Sequence, residues 1–146
     1  MSATIDVMYN ACYGGFSLSD AAMAEYRRQC PNSSKSITER TIPRHDRVMT
    51  QIVREMGQAA SGTYAKVELY SIPAEYENYY GIYEYDGTES VFLKKHAYKL
   101  SLVRSIMKDQ AISETVKLAR IATIVDHEEP DEPDTDEEDN EDHDGA

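Results

Sequence analysis

Tryptophan is absent from these 146 residues, and phenylalanine and cysteine occur twice each. With only two thiols and no basic, apolar leader in the first residues, the chain is read as reduced, intracellular and not secreted, and a Cys12 to Cys30 disulfide is not expected. No window approaches the ~20 consecutive apolar residues of a membrane helix, so no membrane partner is expected. Cysteine and histidine lack ligand spacing and the carboxylates lack the glycine-punctuated spacing of a calcium loop. No metal and no cofactor is therefore implied. Lysine and arginine are missing altogether from position 126 onward.

That last absence explains the net charge of −12. Of the 27 acidic residues, 13 fall in 126–146, which leaves 14 against 15 bases in the preceding 125 positions. The segment 126–146 combines dense like charge with two prolines and no aliphatic residue, and it is expected to be disordered because it has nothing to bury against the entropy of ordering. The remaining length suits one domain with a core.

Tyrosine, at 11 residues, is what the chain has in place of other aromatics. Taken in order, residues 4–9 alternate as a half-buried strand. Gly14 and Gly15 turn the chain into a short helix over 20–29, with Ser19 and Asp20 as capping residues. Residues 32–42 read as a loop. Asp46 reads as the N-cap of a helix carrying Val48, Met49, Ile52, Val53 and Met56 on one stripe, with Gly57 inside it and Gly62 ending it. A second strand runs over 65–70 and is broken at Ile72 and Pro73. Residues 80–85 and 90–93 flank Asp86-Gly87, the turn chemistry of a β-hairpin. From His96 the pattern is helical, while 113–125 suits a helix capped by Ser113 or a strand equally well.

The expected architecture is α+β: a single small domain over 1–93 with a sheet of about four strands and two packed helices. A basic, mainly helical extension follows over 94–125, and the acidic tail over 126–146.

Two chemistries are open at the diglycine stretch. A strand, two glycines and a helix start can aim backbone N–H groups at an anion, so Tyr13, Gly14, Gly15 and Ser17, with Arg44, His45, Asp46, Tyr85 and Asp86, form the candidate ligand site. The stretch lacks the lysine and second glycine of a P-loop, and a plain tight turn explains it equally. Cys12, His45 and Asp46 contain the side chains of a thiol nucleophile, a base and an orienting carboxylate, but helix capping explains Asp46 as well, and no catalytic residue is assigned.

A second candidate surface is the tyrosine-rich stretch, with Tyr79, Tyr80 and Tyr83, where rings add contact area at small entropic cost. The neighbouring acids oppose a nucleic-acid backbone there. Over 94–120, by contrast, seven bases meet two acids. Lys94, Lys95, Lys99, Arg104 and Lys108 thus offer a surface for an acidic protein or for nucleic acid, with the acidic tail as a competitor; a solvated helix face is the plainer reading.

The motifs Asn10-Ala-Cys-Tyr-Gly-Gly-Phe-Ser-Leu-Ser19, Arg44-His-Asp46, Ala65-Lys-Val67 and Glu84-Tyr-Asp-Gly-Thr-Glu89, in that order, resemble a family of small proteins of large DNA viruses and tailed bacteriophages that has no assigned activity. The resemblance covers about residues 5–96. It implies a compact α+β domain and a viral accessory protein located in the host cytoplasm or the virion, and it carries no catalytic residues. Its members tend to end soon after the position of His96, so the extension from Ala97 lies outside it. The sequence thus points to a non-enzymatic protein-binding module, with a small-molecule or nucleotide-phosphate site at Gly14-Gly15, His45 and Asp46 as the alternative.

Overall fold

A computed structural model describes residues 3–33 and 36–127 of the chain. Among these residues the fold is α+β, with four α-helices and two antiparallel strand pairs. Strand β1 (Thr4–Asn10) pairs with β2 (Val67–Pro73), Val7 opposite Tyr70 and Asn10 opposite Val67. Strands β3 (Tyr80–Tyr85) and β4 (Thr88–Leu93) form a hairpin. The chain divides into two compact units, Met1–Leu100 and Ser101–Ala146.

Helix α1 (Asp20–Gln29) starts where the Ser19 hydroxyl accepts the Ala22 N–H at 3.1 Å. Helix α2 (Arg47–Met56) starts where the Asp46 carboxylate accepts the Met49 N–H at 2.9 Å. Each cap satisfies a donor that the first helical turn leaves without an internal partner. Helix α2 packs on the β1–β2 pair and α1 packs on α2, and Met8, Met23, Tyr26, Met49, Ile52, Val53 and Val67 form one core. In β1 both Val7 and Met8 are fully buried, so the half-buried alternation expected of this strand gives way to burial on both faces.

Three sequence expectations are corrected. The single sheet of about four strands is replaced by two pairs, because the outer edge of β1 is closed by other groups: the Arg44 carbonyl accepts the Met8 N–H at 2.8 Å, and the Glu89 carboxylate accepts the Asn10 N–H at 2.9 Å. A strand whose edge is already hydrogen-bonded offers no ladder to a third strand. Strand β2 runs through Ile72 and Pro73 instead of breaking there. The Ala11 N–H bonds the Lys66 carbonyl, so by alternation the even positions of β2 face β1 and Pro73 faces outward, where its missing N–H removes no ladder bond. Helix α2 ends at Gly57, with φ 59°, and a 3-10 turn Gly57–Ala60 follows, so the helix does not continue to Gly62.

Helix α3 (Lys95–Lys108) and helix α4 (Glu114–Asp126) follow the hairpin. Of the two readings open for 113–125 the helix is the one formed, capped by Ser113, whose hydroxyl accepts the Val116 N–H at 3.3 Å. Neither helix contains a buried residue. The disorder expected over 126–146 concerns mostly residues 128–146, which lie outside those described, and Asp126 closes α4.

Tyr26 links the two core helices by donating its hydroxyl to Asp46 at 3.2 Å. Burial, then the charge of Asp46 and the neighbouring Cys30, push its phenol up to about 12. A raised phenol favours the neutral form in the fold. Its contribution is thus complete below the unfolded value of about 10 and is lost as pH rises through about 12. Circular dichroism followed from pH 9 to pH 12.5 should show alkaline unfolding that Tyr26→Phe makes shallower, after a neutral-pH loss of about 1 kcal/mol for the missing hydrogen bond.

Candidate functional site

The diglycine stretch, the residues before α2 and the hairpin turn do meet, and Arg44 is where they meet. The end of β1 brings Asn10 and Cys12, the loop behind it brings Phe16, and β4 brings Glu89. The Arg44 guanidinium grips Glu89 with both terminal nitrogens, Nη1 to Oε1 at 2.7 Å and Nη2 to Oε2 at 3.0 Å. It also donates to the Met8 carbonyl at 3.2 Å and lies over the Phe16 ring at 3.5 Å. A two-pronged charged pair of this kind fixes geometry as well as contributing energy.

Asn10 is fully buried beside this pair. Its Nδ2 donates to the Cys12 carbonyl at 2.6 Å and to the Gly87 carbonyl at 2.7 Å, and its Oδ1 accepts from the Lys66 N–H at 2.8 Å. The Cys12 thiol donates to the Tyr64 carbonyl at 3.2 Å. The hairpin turn sits directly on the diglycine loop: a side chain at Gly87 would meet the Tyr13 carbonyl oxygen at 2.3 Å and the Gly15 nitrogen at 2.8 Å. Asp86 and Gly87 both take positive φ, 50° and 88°, as the two-residue hairpin turn requires. Among the described residues no buried side-chain nitrogen or oxygen lacks a hydrogen-bond partner.

An anion already stands at the start of α1, and it belongs to the chain. Glu39 accepts the Leu18 N–H at 2.8 Å and the Ser17 hydroxyl at 3.3 Å, and Ser19 N–H is taken by the Ala60 carbonyl at 2.8 Å. The Ser17 carbonyl in turn holds the Gly62 N–H at 2.8 Å. Two of the donors available to an anion just before α1, the Leu18 N–H and the Ser17 hydroxyl, are thus engaged by a carboxylate from the 32–42 loop.

His45 and Asp46, adjacent in sequence, serve different neighbours. Asp46 turns to α2 and Tyr26. His45 places Nδ1 2.7 Å from the Tyr80 hydroxyl and Nε2 3.5 Å from Glu77, with its ring edge-on to Tyr80 at 5.5 Å. Burial holds the Tyr80 phenol above its usual value, against the opposing pull of the Arg44 charge. The Cys12 thiol is bonded to Tyr64 and Asn10, at 3.2 and 3.4 Å, so the candidate nucleophile is engaged by different partners from the candidate base. Both cysteines are free thiols, and no group of three or more His, Cys, Asp or Glu suited to a metal occurs among the described residues.

The tyrosines separate into two sets. Tyr80 points to His45, and Tyr79 packs on Tyr98, 5.6 Å between centroids, as does Tyr76 at 4.6 Å. Tyr83 and Tyr85 alternate to the other side of β3, where Phe92 of β4 joins them, and they are 61%, 68% and 46% exposed. Tyr13 and Tyr64, whose backbones flank the diglycine loop, are also exposed. The candidate bases stand on or just before α3: Lys94 is exposed and Lys95 and Lys99 half-buried in the first unit, and Arg104 and Lys108 are exposed in the second.

Asn10, Phe16, Glu39 and Glu89 were not singled out in the sequence as site residues. Asn10 and Glu89 lie at the ends of the quoted motifs, so their positions were signalled without their role; Glu39, inside an unpatterned polar loop, gave no signal. No protein family, curated protein or solved structure matches the chain. No helix among the described residues is long and apolar enough to cross a membrane.

Proposed function

We propose that the protein is a non-enzymatic protein-binding module that works through the outer face of the β3–β4 hairpin. The observation that carries this reading is the exposure of Tyr83, Tyr85 and Phe92 on one side of a two-stranded sheet whose other side is anchored by Glu89 and Tyr80. An open sheet face bearing large rings is the composition that protein interfaces favour at their centres. The alternative, a phosphate site or enzyme at Gly14-Gly15 with His45 and Asp46, is disfavoured because Glu39 occupies the Leu18 N–H and the Ser17 hydroxyl beside the helix start and Asp46 is spent on a cap.

In this reading the Arg44 clasp is a holding device, presenting the hairpin at a fixed angle to the core. The viral accessory role suggested by the motif resemblance, in the host cytoplasm or virion, belongs to the same proposal. So does nucleic-acid binding by the basic residues of 94–120, as the weaker candidate surface.

Phe92 lies over Gly81, where a side chain would meet the nearest ring carbon at 2.4 Å, so Phe92 also covers the strand and is best left in place in a test. Tyr83→Ser combined with Tyr85→Ser should leave the thermal midpoint within a few degrees, since both rings are exposed. Retention of specific proteins from an extract of the native source should fall by about tenfold or more, the loss expected of two aromatic anchors. Unchanged retention would remove this face from consideration.

A further inference from the structure

The hairpin has an unpartnered edge as well as an exposed face. The Lys94 N–H bonds the Tyr79 carbonyl at 2.7 Å, so in the alternating antiparallel ladder Gly81, Tyr83 and Tyr85 exchange bonds with β4 and the backbone groups of Ile82 and Glu84 point away from it. Those groups take no backbone partner among the described residues. Strand β4 is the one that lies against β1, which leaves β3 as the outer strand. Unlike β1, whose edge is closed by Arg44 and Glu89, β3 is free to accept another strand.

The charge carried by the hairpin and the turn before it is one-sided, with Arg44 and His45 facing its inner side from the segment before α2. Residues 74–93 contain five acids and five tyrosines and no lysine, arginine or histidine. Glu89 is committed to Arg44, while Glu75, Glu77, Glu84 and Asp86 are exposed, Glu77 standing 3.5 Å from His45 and Glu84 accepting the Gly87 N–H at 2.6 Å through one carboxylate oxygen. Glu84 belongs to the opposite side of β3 from Tyr83 and Tyr85. A strand added to β3 would therefore meet acid on one side and rings on the other.

We propose that the outer edge of β3 binds an extended, lysine- or arginine-bearing segment of a partner protein, added as a third, antiparallel strand. Its basic side chains face Glu84 and the neighbouring acids, and its alternate apolar side chains pack beside Tyr83 and Tyr85. Main-chain bonds at Ile82 and Glu84 supply affinity, and the two-sided pattern supplies selection. This rests on the protein-binding reading of the hairpin and deepens it by naming the partner's chemistry. Nucleic acid is opposed by the same acids.

The test uses the full chain, isotope-labelled, and a capped peptide alternating arginine and valine. Expected is saturable binding that weakens with salt, with slowed hydrogen exchange at the Ile82 and Glu84 amides. Methylating the arginine amide nitrogens of the peptide, which removes its strand donors, should weaken binding by about tenfold or more. Glu84→Gln with Asp86→Asn should weaken it several-fold, and a glutamate–valine peptide should not bind.

Equal binding of the methylated or the glutamate peptide, tighter binding of single-stranded DNA, or protection of the same amides in the protein alone through a second copy would each overturn the proposal. If the arginine–valine peptide fails while Tyr83 and Tyr85 are still needed to retain a protein from extract, the partner's chemistry is wrong and the face stands. If retention is also indifferent to those tyrosines, the reading of the face falls with it.

Discussion

Glu89→Ala is expected to destabilise the protein by about 3–5 kcal/mol, a large share of the stability of a domain of this size. The Glu89 side chain is 8% exposed and accepts from Asn10 N–H, Arg44 Nη1 and Arg44 Nη2. Truncation leaves a guanidinium without its counter-charge and opens the edge of β1 to water. Glu89→Gln keeps an acceptor for Asn10 while losing the charge, so it should fall between alanine and wild type. Urea unfolding followed by circular dichroism measures both; a loss below about 1 kcal/mol for Glu89→Ala would mean that the pair behaves as a surface ion pair.

The second large effect separates two neighbouring glycines. A side chain at Gly14 would sit 1.6 Å from the carbonyl oxygen of Tyr64, a backbone atom that cannot rotate aside, whereas Gly15 has nothing within 4 Å and a φ of 83°. Gly14→Ala must push apart the loop and the segment that carries Tyr64, and about 3 kcal/mol or more is expected. Gly15→Ala meets only the strain of a left-handed backbone, about 1–2 kcal/mol. Denaturation midpoints should follow the order wild type, Gly15→Ala, Gly14→Ala. The reverse order would mean that the Tyr64 contact yields easily.

These two sites mark where sequence patterns carried information and where they did not. The caps at Ser19, Asp46 and Ser113 were legible because a helix start is decided within four residues. So was the hairpin, since Asp86-Gly87 supplies both positive φ values its turn requires. The number of strands in one sheet was not legible, because β1 is closed by Arg44 and Glu89, some 36 and 79 positions away from the atoms they bond. No local pattern distinguishes an edge closed by groups far away in the chain from one waiting for a strand.

The candidate ligand site was half legible for the same reason. The motifs come together in space, but what they do there depends on Asn10, Glu39 and Glu89, each acting at long range. Polar groups that looked available in the sequence are paired with one another in the fold. The tyrosines show the converse: alternation along β3 turns Tyr80 inward to His45 and leaves Tyr83 and Tyr85 outside, a distinction invisible until the register is fixed.

The most direct measurement of whether function lies on the hairpin and not in the Arg44 clasp is hydroxyl-radical footprinting of the full chain, alone and in an extract of its native source. Protection of Tyr83, Tyr85 and Phe92, with Tyr13, Phe16 and His45 unchanged, is the predicted result. Protection at Tyr13, Phe16 and His45 with the hairpin rings still reactive would contradict it and move the site to the diglycine loop.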